Sequence, residues 1–443
     1  MSMGKYLFLL FIFLEAVDIS AQNPAHRDRI QSAVFALSKV MMHDVVSPPA
    51  ASRYYAYCMM GAYQLVQHSG GRIPSLSSFI KAYQPEALQI DGDYDRQLAA
   101  LYCILETGRQ LLPSGYLLEK DQELLIDAFE KQNISPDHIT MSVLKAKEVS
   151  ESVIRFSLGD GYNKLSALLR YSPKKEEGHW YPTPPGYLEA VEPNWKNIRP
   201  LVLDSSNEFV PLRPVVYSRD SLSAFFQLAK EVYDTTRQLN DEQLHIAAFW
   251  DCNPFALETA GHLSLGFKKI SPGGHWMNIA GIACREAVLG FDESVMVQTL
   301  VGVTLMDAFI SCWDEKYRSD RIRPETYIHR FMDIRWKPLL QTPPFPEYPS
   351  GHSVVSTAVA ELLSYLLGDR FEYEDDTELM FEIPSRKFKS FRHAAEEASI
   401  SRLYGGIHFR DAIVEGQKEG KNIGRKIVNR IQDLHLRPLQ VRR

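Results

Sequence analysis

Between Gln341 and Leu367 the chain runs QTPPFPEYPSGHSVVSTAVAELLSYLL. The first ten residues hold four prolines, a pattern that excludes a regular helix, whereas the last fourteen are mostly apolar and read as a buried helix. Pro349 and Gly351 set a turn at the junction. Ser350 and Gly351 therefore stand at a helix N-terminus, where free backbone N–H groups point outward and favour an anion. Gly351 permits close approach of an oxyanion to the backbone. His352 falls in the first turn beside that anion, where an imidazole can donate or accept a proton near neutral pH. Taken alone, the same residues also describe an N-capping serine followed by a surface histidine.

Two further segments carry related chemistry. In Lys316-YRSDRI-Arg323-Pro324 the two cations are seven residues apart. On one continuous helix that spacing puts both on nearly one face, about 10 Å apart along the axis, so that they converge on a multivalent anion. Asp314, Glu315, Arg318, Asp320 and Arg321 nearby make a solvated charged face an equally valid local reading. In Ser401-Arg402-LYGGI-His408 a second guanidinium is followed by Gly405 and Gly406, which allow a helix break that turns His408 toward the same site.

Helical periodicity dominates the remainder. Apolar spacing marks helices over His26–His43, Ser52–His68, Asp93–Leu112, Gln122–Gln132 and Met141–Tyr171, then over Ser221–Arg237, Asp241–Trp250, Gly274–Leu289, Glu293–Arg318, Gly351–Leu367 and Lys387–Tyr404. Alternation of the kind that marks strands is scarce. Residues 172–214 break the pattern with a Pro-rich segment bearing Trp180, Tyr181, Tyr187 and Trp195, too aromatic for a flexible linker. The expected architecture is all-α: two packed helical bundles, with an N-terminal half over residues 22–214, a C-terminal domain over 215–443, and the oxyanion site in the second. The apolar run Val295–Trp313 contains Gln298, Thr304 and Asp307, which suits a core helix better than a lipid-facing one. No membrane-spanning segment is expected in the mature chain.

The 443 residues are 45% hydrophobic and 23% charged, an ordinary globular balance that excludes wholesale disorder. A net charge of −6, without basic blocks, argues against nucleic acid as a partner. At the N-terminus, Lys5 precedes the apolar run Tyr6–Leu14, and Ser20-Ala21 offers small residues at a cleavage point, so residues 1–21 read as a secretory signal and imply a periplasmic or secreted protein. Cys58, Cys103, Cys252, Cys284 and Cys312 show no paired or metal-ligand spacing and read as buried free thiols.

Together, Lys316-x6-Arg323-Pro324, Pro349-Ser350-Gly351-His352 and Ser401-Arg402-x5-His408 resemble the signature of the type 2 phosphatidic acid phosphatase and vanadium haloperoxidase superfamily. The stretches SRYYAY near Tyr54, HWYPTPPGY near Trp180, GGHWMNIA near His275 and AFISCWDEKY near Trp313 are similar to bacterial haloperoxidases, and extend the resemblance over most of the chain. The resemblance implies that Lys316, Arg323, Ser350, Gly351 and Arg402 cradle an oxyanion. It implies that His352 is the acid–base, that His408 is the axial ligand of vanadium in vanadate, that Lys316 polarises peroxide, and that Phe345 stands where halide is handled. The substrates implied are hydrogen peroxide, halide and an organic acceptor. Phosphate is an alternative occupant in a phosphatase branch, where His408 would form a phosphohistidine with small phosphomonoesters. A non-catalytic oxyanion-binding helical protein is a third reading. The length of the N-terminal half favours the haloperoxidase branch, and that half is expected to buttress the second and, through the segment around Trp180, to shape the approach to the oxyanion.

One departure stands out. The family pattern continues His-x3-Asp, but Ala412 occupies that position and the acid is Asp411. One helical residue is about 100° of rotation, so Asp411 cannot take over the usual contact directly. A backbone carbonyl is an alternative partner for His408. Asp251, in FWDCNP, is a candidate partner for Arg402.

Overall fold

The structure is a computed structural model describing residues 24–67, 73–85, 92–260, 263–266 and 268–441. The leader read at residues 1–21 lies outside the described residues. Among these, fourteen α-helices dominate. The N-terminal half holds α1 (Pro24–His43), α2 (Pro48–Val66), the single turn α3 (Leu76–Phe79), α4 (Arg96–Leu111), α5 (Glu119–Glu130) and α6 (Pro136–Leu158). The C-terminal half holds α7 (Ala224–Thr236), α8 (Asp241–Phe249), α9 (Pro272–Glu286), α10 (Phe291–Ser319), α11 (Pro324–Phe331), α12 (Gly351–Leu367), α13 (Phe391–Tyr404) and α14 (Arg410–Asp433). Two small antiparallel hairpins interrupt the second half: β1 (Leu257–Ala260) with β2 (Leu263–Gly266), and β3 (Tyr373–Asp375) with β4 (Arg386–Phe388).

Local chemistry explains the helix starts. Ser47, Asp95, Ser135, Ser223, Asn240, Ser271, Ser350 and Ser390 each cap a helix by accepting a first-turn N–H, and Pro48, Pro136 and Pro272 follow three of these caps, where a missing N–H costs nothing. Every residue of α2 is buried. It crosses α10, also buried from Ser294 to Lys316, at Gly302, where a Cβ would lie 3.2 Å from Ala56 Cα. The contact between these two helices carries one hydrophobic core through both halves, from Ile30 to Ile431. α10 is long and apolar enough to cross a membrane, yet it is the buried centre of this core.

The reading of Lys316 and Arg323 as one helical face is corrected. α10 stops at Ser319, Asp320 takes a left-handed conformation (φ 51°), and Pro324 opens α11. Arg321 instead forms an antiparallel bridge with His179, flanked by Ile322 donating to Gly178 and Trp180 to Asp320, each at 2.9 Å. The Pro-rich segment is thus a strap. It is pinned to α10 where the Asp307 carboxylate accepts the N–H groups of Leu201, Val202 and Leu203 at 2.7–2.8 Å, and where the Val191 carbonyl accepts from Trp313 and Tyr317.

Helix α14 lay beyond the helices expected from periodicity. Its stripe of Gly416, Gly420 and Gly424 lies on α12: a Cβ at these positions would come within 2.9 Å of Ser350 O, 2.2 Å of Val354 O and 2.7 Å of Ala358 O. Only glycine permits this approach, and it fixes where the N-terminus of α12 lies.

Candidate active site

The three motifs meet at the N-terminus of α12. Ser350 is its cap, with Oγ accepting from Ser353 N and its own N–H donating to Ala412 O at 3.0 Å. The first-turn N–H groups of Gly351 and His352 have no acceptor within the helix. The loop Phe345–Pro349 wraps its carbonyls around two buried cations. Lys316 Nζ donates to the carbonyls of Pro346, Glu347 and Pro349. Arg323 donates to those of Phe345 at 2.9 Å and Ile407 at 2.9 Å. Arg402, in the last turn of α13, donates from Nη1 to Trp250 O at 2.9 Å, and its Nε is buried without a partner. Gly405 and Gly406 then break the chain, the latter with φ +75°, and bring His408 back toward Arg323, with Nε2 3.2 Å from Nη1.

A small cavity opens here. Gly351, His352, Arg402, His408 and Phe345 line it, with Trp313, Phe309 and Phe255 as an aromatic wall and Pro48 from the N-terminal half at the rim. Lys316, Arg323 and Ser350 are fully buried behind this surface. Phe345 packs on Trp313, ring centroids 5.0 Å apart, and lies 5.1 Å from both Lys316 Nζ and the Arg323 guanidinium carbon. Trp180 does not line the cavity. It backs the extended strand that delivers Arg323, so the approach is shaped by Pro48, Phe255 and Pro343 instead. All three Lys316 protons are held by loop carbonyls, so contact with a bound peroxide would require giving one up.

The alternative backbone partner of His408 is also corrected. His408 Nδ1 lies 2.9 Å from Glu347 Oε1, which also accepts from Phe409 N. Glu347 Oε2 accepts from Arg321 Nε at 2.6 Å, and Arg321 in turn forks onto both oxygens of Asp411 at 2.6 and 2.8 Å. Asp411 therefore reaches His408 through two ion pairs, one part-buried with Arg321 and one buried between Arg321 and Glu347, rather than directly. A carboxylate that receives an arginine and an amide N–H is an acceptor, so the imidazole proton sits on Nδ1 and the Nε2 lone pair faces the cations. Burial first, then the charges of Arg323, Lys316 and Arg402, hold His408 well below its usual pKa, which keeps that lone pair free. Asp251 pairs with Lys269 at 2.7 Å and adds only its field to Arg402.

His352 stands half-buried at the cavity. Its hydrogen bond is with the Trp250 backbone, and its Nε2 has no partner. Burial and the nearby Arg402 and His408 push its pKa well below the usual value, so it enters as a neutral base. Burial also lowers Lys316 to about 8 and Arg323 to about 9, low for such groups but still cationic at neutral pH. The site thus offers three cations, helix N–H groups and two neutral imidazoles, and among the described residues no carboxylate lines the cavity. Bare Arg402 Nε and His352 Nε2 await partners. This composition suits a tetrahedral oxyanion that can accept a fifth ligand. Glu347 and Arg321 escaped the sequence reading, although an acid within the Pro-rich run just before Ser350 was a visible signal.

Fold and site together define a helical oxyanion-binding enzyme. The family model for the second helical-bundle domain of VCPO matches residues 331–436. The crystal structure of a bacterial vanadium-dependent iodoperoxidase is similar over 91% of this chain and 96% of that one, with 39% identity and a TM-score of 0.86. A bacterial vanadium-dependent chloroperoxidase shares the fold at 14% identity, over 88% of this chain and 93% of that one in its holo form (TM-score 0.65), and over 88% and 95% in its apo form (TM-score 0.63). No curated protein matches the chain. The chain belongs to the vanadium-dependent haloperoxidase family.

Proposed function

We propose that this enzyme holds vanadate at the α12 N-terminus and uses hydrogen peroxide to oxidise halide, iodide foremost, to a hypohalous acid equivalent that halogenates an organic acceptor. The observation that carries the reading is the neutral His408, oriented by Glu347, with its Nε2 lone pair turned toward the buried cations. Arg323, Arg402 and Lys316 would hold the oxyanion's charge, Ser350 Oγ and the Gly351 and His352 N–H groups its remaining oxygens, and His408 Nε2 the vanadium. Bound vanadate supplies a Lewis-acidic centre that makes peroxide electrophilic. His352 Nε2 is placed to take a proton from entering peroxide and return it to the departing oxygen. Phe345, Trp313 and Phe309 keep bulk water from this chemistry and offer a polarisable wall that suits a large halide. Likeness to an iodoperoxidase supports iodide over chloride. Phosphate, of the same shape and charge class, would compete for the cradle. The leader read at residues 1–21 supports export to the periplasm or medium, testable by N-terminal sequencing of the mature protein.

The test is peroxide-dependent halogenation of an activated ring by vanadate-loaded protein, with iodide, bromide and chloride in parallel. Turnover is expected to be fastest with iodide. Absence of halogenation with all three, together with vanadate-inhibited hydrolysis of p-nitrophenyl phosphate, would overturn the proposal.

A further inference from the structure

Beside the cavity, and reaching its wall through Cys252, lies a second cluster that the oxyanion chemistry does not use. Cys252 follows α8, His275 sits in the first turn of α9, and Asp375 and Glu378 come from the end of β3 and the turn after it. All four are buried, at 0–2% relative exposure. Cys252 Sγ lies 3.3 Å and Glu378 Oε1 3.1 Å from the same atom, His275 Nδ1. The three ligand atoms lie within 4.8 Å of one another.

The other imidazole nitrogen is already committed. His275 Nε2 lies 2.8 Å from Asp375 Oδ2, and Asp375 Oδ1 accepts from Thr377 N. A carboxylate on the far nitrogen of a histidine is the usual outer partner of a metal-binding imidazole, because it fixes the ring and turns the other lone pair outward. Trp250 stacks on the ring at 4.6 Å and 19°, which holds its plane. Glu378 Oε1 makes no hydrogen bond and meets only His275 Nδ1, although it is fully enclosed. A carboxylate oxygen so enclosed and without a hydrogen bond is unfavourable unless a cation meets it.

We propose that Cys252, His275 and Glu378 bind one divalent cation of the zinc class, with Asp375 as the outer partner of His275. The mixed sulfur, nitrogen and oxygen set selects a borderline-soft d-block ion over calcium or magnesium. Bond lengths of about 2.0–2.3 Å and tetrahedral angles give ligand–ligand edges of roughly 3.3–3.6 Å, and the two edges at Nδ1 already lie within a few tenths of an ångström of that range. A thiolate and a carboxylate neutralise the dication. The site ties α9 and the β3 turn to residues 250–252, whose Trp250 carbonyl holds Arg402. The cation therefore braces the oxyanion cradle from its Cys252 side.

The test needs neither halide nor peroxide. Chelator-treated full-length protein is titrated with cobalt(II) and, separately, with zinc, in the absence of vanadate. The expected result is one ion per chain and a thiolate-to-cobalt charge-transfer band that Cys252→Ser abolishes and Asp375→Asn weakens. Should Cys252→Ser fail to fold, displacement of that band by one equivalent of zinc in the unaltered protein serves instead. Absence of stoichiometric uptake, or a band that persists in Cys252→Ser, overturns the site.

Discussion

Glu347 Oε1 lies 2.9 Å from His408 Nδ1 and accepts its hydrogen bond, joining the loop before the oxyanion turn to the imidazole 61 positions later. The same carboxylate holds Arg321 through its other oxygen. The state of the His408 lone pair therefore depends on Glu347 remaining an acceptor.

Replacing that carboxylate tests the dependence. Glu347→Gln puts an amide where an acceptor is needed, and the loss of such an outer partner typically costs 10–100-fold in affinity. Orthovanadate titration should show a drop of about that size while circular dichroism keeps its helical signal. Unchanged affinity would remove Glu347 from the account.

Gly351→Ala separates the cradle from the fold. An added Cβ would meet Trp313 Cζ3 at 3.7 Å and Lys316 Cε at 3.8 Å, ordinary contacts on the cavity side. Because alanine is a better helix former than glycine, the melting temperature should stay the same or rise, by no more than about 1 kcal/mol of stability. Vanadate affinity should nevertheless fall at least roughly tenfold, since a methyl group reaches into the space an equatorial oxygen needs. Isothermal titration and thermal melts on one preparation check both halves.

The glycine stripe of α14 predicts that stability and affinity fall together. Gly420→Ala would place a Cβ 2.2 Å from Val354 O, so α14 must move away from α12. Overpacking of this kind costs about 1–3 kcal/mol. Denaturant unfolding should register the loss, and the displaced α12 N-terminus should weaken vanadate binding with it.

Glu419, on the same helix, sets a pH dependence. Burial pushes its pKa up to about 8, against the hydrogen bond from Ser311. Because the folded value lies above the unfolded one, its contribution to stability is complete below about 4.5 and is lost as pH rises through about 8. Each pH unit within that window removes up to about 1.4 kcal/mol. Glu419→Gln keeps the shape without the titration, so its melting temperature should fall less than that of the unaltered protein between pH 6 and pH 9. Parallel curves would contradict the assignment.

What the sequence disclosed, and what it hid, follows from range. The turn at Pro349-Ser350-Gly351 was legible because caps and helix starts are written in adjacent residues. The same local grammar is present at Asp320-Arg321-Ile322-Arg323-Pro324, where Pro324 marks a new helix start that the seven-residue spacing of the cations obscures. Glu347 could not be matched to His408 by any period, because their meeting depends on a Pro-rich loop folding over Lys316 and Arg323. The stripe in α14 was likewise visible as glycines four apart, but its meaning required knowing that α12 lies beneath it.

The central claim is that His408 and the three cations make a vanadate site that turns over peroxide and halide. Its most direct measurement is iodide oxidation by hydrogen peroxide in vanadate-free protein as orthovanadate is added. The account predicts activity that rises with vanadate to a plateau at one equivalent per chain and disappears in His408→Ala. Full activity without vanadate, or vanadate retention at unaltered affinity in His408→Ala, would contradict it.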